Sequence, residues 1–165
     1  MVQQMVPQVR DCMSRKVFTL RPDMSVFEAI ERLLRKKVSG APVVDEDRWM
    51  VGILTEKDCI RVLATFEYSD SHFAGGKVAD FMSEVKMVAS PDMDLFAVAH
   101  HFLATNFPSL PVVEEGRVVG RITRQDVLRG ILKFQKRLKE AQAQMGRRLE
   151  ALQDPKSIEV IQRLV

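Results

Sequence analysis

Two cysteines, one tryptophan, one tyrosine and three histidines are all that this chain of 165 residues offers of the side chains that most often staple, stack or ligate. Cys12 and Cys59 stand alone and far apart. Their spacing supports neither a disulfide framework nor a closed zinc site, and it suits a reducing compartment. No stretch approaches the ~18 uninterrupted apolar residues of a membrane helix. The start, Met1 to Arg10, has no basic segment followed by an apolar run. The expectation is a cytoplasmic protein without a membrane span. The sequence also lacks a Ser-His-Asp or Cys-His arrangement, a phosphate-gripping loop and a dinucleotide fingerprint, which argues against an enzyme and against an obligatory cofactor. His100 and His101 diverge by about 100° on a helix and have no acidic or Cys partner three or four residues away, so a surface position is expected and no metal site.

What the chain does have is 46% hydrophobic and 28% charged residues, enough for one sizeable core or two small cooperating ones. The formal charge is +3, but residues 127–165 hold nine Lys or Arg against four Asp or Glu. The basicity therefore belongs to the tail. Glu140 and Glu150 interrupt it and no aromatic stacking series accompanies it, so a solvated helix face is expected rather than a nucleic-acid or membrane surface.

Sliding the sequence on itself reveals a repeat. At an offset of 69, Val9 meets Val78, Asp11 meets Asp80 and Met13-Ser14 meets Met82-Ser83. Pro22-Asp23-Met24 then falls on Pro91-Asp92-Met93, and Pro42-Val43-Val44 on Pro111-Val112-Val113. After a one-residue deletion near Asp47 the offset is 68, and Gly52, Thr55, Asp58 and Arg61 meet Gly120, Thr123, Asp126 and Arg129.

Each unit shows the same grammar. A short β-rich piece comes first, Val17 to Leu20 or Lys86 to Ala89, ended by a nearby proline. A helix follows. In the first unit Ser25-x-x-Glu28 reads as a capping box, with Val26, Ala29, Ile30, Leu33 and Leu34 as the apolar face. In the second, Asp94 reads as the cap and Leu95, Val98, Ala99, Phe102 and Leu103 as the face. Two strands are predicted at Ala41 to Asp45 and Met50 to Leu54, matched by Leu110 to Glu114 and Val118 to Ile122, and a second helix closes each unit. The result is an α+β fold of two β-α-β-β-α units, each of which buries little without its copy. The expected divisions are a first domain at 9–66, a polar glycine-bearing linker at 67–77, a second domain at 78–132 and a helical extension at 133–165. Nothing distinguishes that linker from an ordinary connection.

Ser39-Gly-Ala-Pro-Val-Val-Asp45 followed by Val51-Gly-Ile-Leu-Thr-Glu-Lys-Asp58 resembles the core signature of a cystathionine-β-synthase-type (CBS) domain. Leu110-Pro-Val-Val-Glu114 and Val119-Gly-Arg-Ile-Thr-Arg-Gln-Asp126 resemble it again, and Asp11-Cys-Met-Ser14 and Asp80-Phe-Met-Ser83 look like the lead-in that often precedes each domain. The resemblance covers roughly residues 9–132. It implies a tandem (Bateman) module with pseudo-twofold symmetry, often stacked into a flat dimer, and a regulatory role.

The chemistry of Gly-x-x-Thr-x-x-Asp suits a nucleotide. The glycine would let a ligand approach the strand, the Thr hydroxyl and the N–H groups of the new helix suit a phosphate, and the carboxylate can accept both hydrogen bonds of a ribose diol. The same Thr-x-x-Asp spacing is also a good helix N-cap with an acid in the first turn, and both readings can hold at once. The resemblance implies Asp58 and Asp126 on ribose, Thr55 and Thr123 toward phosphate, and the backbone around Ser39, Gly40, Ala41 and Pro42 against adenine. Leu110 and Pro111 are the counterparts of Ala41 and Pro42. Thr19 and Ser39 furnish the first cleft, where the second repeat has Val88 and Pro108, so the cleft of Asp58 and Thr55 is expected to bind first and that of Asp126 and Thr123 second. Phe107 is a candidate to stack on a base or to pack in the core. The implied ligands are AMP, ADP, ATP or S-adenosylmethionine, with a homodimer and an effector protein as partners. A scaffold with empty clefts is the alternative.

The last helix can run from Thr123 to Asp154, and Val127, Ile131, Phe134, Leu138, Ala141, Met145 and Leu152 form a seam along it. Such a seam needs a partner, which is either the body of the chain or a second subunit. Its reach favours the latter. Asp154-Pro155 then restarts a short helix with Ile158, Ile161 and Leu164 as its stripe.

Overall fold

A computed structural model describes residues 6–66 and 75–153. The stretch at 67–74, most of the expected linker, lies outside these residues, as does the short helix expected after Asp154. The elements are α1 (Val9–Cys12), α2 (Val26–Lys36), β1 (Gly40–Val44), β2 (Met50–Thr55), α3 (Glu56–Phe66), α4 (Val78–Phe81), α5 (Leu95–Ala104), β3 (Ser109–Glu114), β4 (Arg117–Thr123) and α6 (Arg124–Gln153). This is the α+β order read from the repeats.

Each repeat is built on an antiparallel hairpin, β1 with β2 and β3 with β4, and the register shifts at the same place in both, between Val43 and Val44 and between Val112 and Val113. The expected opening strands are shorter than the sequence suggested. Each contributes a single parallel bridge, Leu20 to Val43 and Ala89 to Val112. Pro42 and Pro111, facing them, have no N–H to donate and only accept, from Leu20 N at 3.0 Å and Ala89 N at 2.9 Å.

The two lead-ins cross over. Val9 is fully buried in a cluster with Leu95, Val98, Leu110, Val112 and Ile122, all from the second repeat. Val78 is fully buried with Leu20, Ala29, Val43 and Leu54 from the first. The backbone repeats the exchange: Ser14 and Arg121 bond each other in both directions at 2.9 Å, and Ser83 and Ile53 do so at 2.9 and 3.0 Å. Each small core is therefore completed by a helical turn from the other repeat, which meets the need of a sheet too small to bury its own face.

The glycines of the repeated motif serve this crossing. A Cβ on Gly52 would lie 2.6 Å from Met82 Sδ and 3.2 Å from Ser83 O, and one on Gly120 would lie 2.9 Å from Met13 Sδ and 3.0 Å from Ser14 O. What approaches these strands is the other repeat's lead-in.

The helix faces differ in detail from expectation. Val26, Ala29 and Leu33 are buried, but Leu34 is 69% exposed and its counterpart Leu103 is 84% exposed. Asp94 caps α5 by accepting from Ala97 N at 2.8 Å, as expected, whereas Ser25 makes no side-chain cap. The Glu28 side chain that would complete the capping box is engaged elsewhere, and a neighbouring carbonyl caps the first amide of the helix instead. Glu28 pairs with Arg32 at 2.6 Å, and the first amide of α2, that of Val26, donates to Gly76 O at 2.9 Å.

The 30 residues of α6 run through the expected boundary at 132/133 without a break, spanning about 45 Å. The seam divides along its length. Val127 is buried and Ile131, Phe134 and Leu138 are half-buried, while every residue from Lys139 to Ala151 is exposed, Ala141 and Met145 included. The side chain of Leu152 lies outside the described residues. Among the described residues no helix is long and apolar enough to cross a membrane.

Candidate functional site

Both Thr-x-x-Asp segments sit where a strand turns into a helix, β2 into α3 and β4 into α6. In each, the Asp carboxylate folds back on its own turn. Asp58 Oδ2 accepts from Thr55 N at 2.9 Å and Thr55 Oγ1 at 2.6 Å, and Asp126 Oδ2 accepts from Thr123 N and Oγ1 at the same two distances. The other oxygen of each carboxylate takes an arginine one turn on, Arg61 at 3.2 Å and Arg129 at 2.9 Å. The capping reading of the motif is thus realised twice.

The environments diverge from there. Asp58 also accepts from Ser83 Oγ at 2.8 Å, and its side chain is 4% exposed. The side chain of Asp126 is 19% exposed. Burial works to raise the Asp126 carboxyl pKa, but hydrogen bonds from the Thr123 hydroxyl, Arg129 and the Thr123 amide, together with the Arg129 charge, outweigh it and hold the group below the ordinary carboxylate range.

Among the described residues, cavities lie between the repeats. One, of about 590 Å³, is walled by Thr55, Asp58 and Arg61 with Ser39 from the first repeat, and by Ser83 to Met87 and Asn106 to Pro111 from the second. A second, of about 190 Å³, is walled by Lys16, Val17, Phe18 and Val38 to Pro42, with Phe107, Pro111 and Arg121 opposite. Ser39, Gly40, Ser109 and Arg121 also line a third, of about 540 Å³, whose walls include Lys37 and Thr123. At 190 Å³ the second cavity is smaller than the ~300 Å³ of a typical whole-ligand site, and it shares Ser39, Gly40, Ser109 and Arg121 with the third. Thr55 and Asp58 face a wall from the second repeat in the first of these cavities; in the third, Thr123 faces Lys37, Ser39 and Gly40 of the first repeat, while Asp126 lies behind Thr123, bonded to it, and lines none of the three.

The family model of the CBS domain matches residues 9–65 and again 78–133. The chain belongs to the CBS-domain family. An uncharacterised protein of Methanocaldococcus jannaschii is 36% identical over 121 residues, which is 73% of this CBS pair and 41% of that protein. An inosine-5'-monophosphate dehydrogenase of Aquifex aeolicus is 34% identical over 113 residues, 67% of this chain and 22% of that one. The CBS pair thus spans less than half the length of these relatives. Among solved structures, CBSX2 in complex with AMP is 31% identical with a TM-score of 0.67, over 78% of this chain and 98% of that one. The CBS domain pair of protein MJ0100, in complex with 5-methylthioadenosine and S-adenosylmethionine, is 28% identical with a TM-score of 0.62, over 75% and 94%.

Within this CBS pair the residues singled out from sequence divide into groups. Thr55, Asp58 and Ser39 line one cleft together, with Phe107, Leu110 and Pro111 facing them. Ser39, Gly40, Ala41 and Pro42 form a wall of the small cavity. Ala41 and Leu110 are 2% and 1% exposed, so their side chains belong to the core and only their strand backbone borders the clefts. Phe107, 36% exposed, borders both. Thr19 joins neither. It lies with Arg15, Arg32, Arg35 and Arg48 on the outer side of the opening segment. Sequence reading assigned no role to Lys16, Ser83, Arg61, Arg121 or Arg129; for the arginines after each Asp, the repeated Asp-x-x-Arg spacing carried a signal of an i,i+3 pair.

The cysteines pack as small apolar groups, Cys12 against the second core and Cys59 within the first. Burial, and after it the charges of Asp11 and Asp58 respectively, push both thiols above their ordinary range.

Proposed function

We propose that this CBS pair is a regulatory module that binds an adenine nucleotide (AMP, ADP, ATP or a relative such as S-adenosylmethionine) between its repeats and passes the ligand state to a partner protein or to its own oligomer. The observation that carries the reading is the twin carboxylates, Asp58 and Asp126, each bound by the same Thr amide, Thr hydroxyl and Arg at closely matching distances. In each carboxylate one oxygen is bound by the Thr and the other by an arginine that is 62% or 68% exposed, and that arginine is the donor a ribose diol would replace. At the Thr123–Asp126 turn the base would enter the small cavity along Ser39 to Pro42, with Arg121, Thr123 and Lys37 toward the phosphate end, and the ribose would have to reach Asp126 past Thr123. Asp58 with Thr55 and Ser39 would form the second seat. The adenosine-containing ligands of CBSX2 and of the MJ0100 pair support the ligand class. Because each cleft has walls from both repeats, a bound ligand contacts both, and its differential affinity for two packings of the repeats would supply the regulatory work.

A thermal-shift panel of these ligands on wild type, Asp58→Ala and Asp126→Ala tests the reading. Ligand at 100 times its dissociation constant adds about 2.7 kcal/mol, and each Ala variant should lose part of the shift. No shift with any of them sinks the proposal.

One observation favours a second property, dimerisation. Leu34 and Leu103 are exposed at matched positions of the two repeats, and so are Ile60 and Leu128. Apolar exposure repeated about a pseudo-twofold axis is complementary to a second copy of itself. Leu128→Glu with Ile60→Glu should halve the mass in solution; an unchanged mass would remove this interface. If the dimer forms and no nucleotide binds, the scaffold alternative stands.

A further inference from the structure

Ser14 and Ser83 occupy equivalent places. Each ends a lead-in that has crossed to the other repeat, and each makes a two-way backbone pair with the strand it meets, Ser14 with Arg121 and Ser83 with Ile53. Their hydroxyls part company. Ser14 Oγ turns back on its own segment, donating to Lys16 O at 3.3 Å and accepting from Lys16 N at 3.2 Å. Ser83 Oγ donates to Asp58 Oδ1 at 2.8 Å.

A carboxylate offers about four acceptor positions. At Asp58 all four are taken, by the Thr55 amide, the Thr55 hydroxyl, Arg61 and Ser83. At Asp126 three are taken, by the Thr123 amide, the Thr123 hydroxyl and Arg129, whose side chain is 68% exposed. Two incoming hydroxyls would find one position open at Asp126 and would displace one exposed arginine. At Asp58 they must displace two donors, one of them a serine held by its backbone pair with Ile53.

We infer that the Ser83 hydroxyl occupies the diol seat at Asp58 and so ranks the two clefts, making Asp126 the stronger nucleotide site and Asp58 the weaker. The inference rests on the nucleotide reading above and deepens it. The ranking comes from the partner of one oxygen rather than from the Thr-x-x-Asp segments, which are alike in both repeats, and it reverses the order expected from Thr19 and Ser39, since Thr19 lies away from the Asp58 cavity and Ser83 bonds the carboxylate. The difference at stake is one hydrogen bond to a charged group, worth roughly tenfold in affinity.

The test is an AMP titration of the full chain followed at the backbone amides of Thr55 and Thr123 by NMR, in wild type, Ser83→Ala, Ser83→Cys and Ser14→Ala. The wild-type Thr123 signal should saturate at lower AMP than that of Thr55. Ser83→Ala should bring the Thr55 curve about tenfold lower in AMP and leave Thr123 in place, with Ser83→Cys between the two and Ser14→Ala like wild type. The cysteine variant preserves the volume of the site, so a folded variant remains if alanine leaves a packing defect. A Thr55 curve that stays put or moves to higher AMP in the serine variants overturns the ranking alone. If neither amide responds to AMP in any variant, the ranking and the nucleotide reading fall together.

Discussion

The amide of Val9 donates to the carbonyl of Met93 at 2.8 Å, so the segment that opens the first repeat is anchored in the second. Val78 mirrors it, donating to Met24 at 2.9 Å. Two exchanged anchors make the cores interdependent, and neither repeat can unfold without stripping a buried valine from the other. Val9→Ala removes two methyls from a fully buried position and should cost about 2 kcal/mol. In urea, Trp49 fluorescence and far-UV circular dichroism should report one coincident transition for the variant. Separate transitions would show that the exchange does not couple the repeats.

The hairpin tips supply a second junction. Trp49 bridges Arg117, the Arg117 guanidinium lies 6.0 Å from the Trp49 ring, and Met50 N donates to Gly116 O at 2.9 Å. Gly116 has φ of +79° and a Cβ there would overlap the indole, so Gly116→Ala incurs both backbone strain and a clash. The expected loss is about 2 kcal/mol by denaturant unfolding followed by circular dichroism. Adding Trp49→Ala should recover the steric part only, and a full recovery would mean that φ contributes nothing.

Asp126 ties stability to pH. Its folded pKa is depressed, so its contribution is fully present above the unfolded value, near 3.8, and is lost as pH falls through the lower folded value. Thr123→Val deletes two hydrogen bonds, the one the hydroxyl donates to the Asp126 carboxylate and the one it accepts from the Asp126 amide, and should cost about 2 kcal/mol at pH 7, of which the carboxylate's share depends on pH. The gap between variant and wild type should narrow as pH drops below that of the unfolded carboxyl. A gap independent of pH would mean that the hydroxyl does not act through the carboxylate.

Much of this was legible in the sequence because it is local. The repeat, the hairpins to within a residue or two, the Asp94 cap and the Thr-x-x-Asp turns all depend on residues close in the chain. The exchange of lead-ins was not legible, since Val9 and Val78 are equally apolar whichever core they enter. The pairing of Thr19 with Asp58 failed for that reason: the wall facing Asp58 comes from Ser83 to Met87 of the other repeat. Leu34 and Leu103 fit the helical period, but they lie at the edge of the apolar arc, beyond the reach of so small a sheet. The Ser25 capping box is a sound local signal, yet Glu28 pairs with Arg32 one turn on instead of reaching back to the cap.

The central claim is that Asp126 seats the ribose of an adenine nucleotide. Calorimetric titration of AMP into wild type and Asp126→Asn tests it most directly, because asparagine keeps the shape and one acceptor but removes the charge. Loss of charge-assisted hydrogen bonds worth about 1.5 to 3 kcal/mol predicts AMP affinity at least tenfold weaker in the variant. Equal affinity in the two proteins would contradict the account.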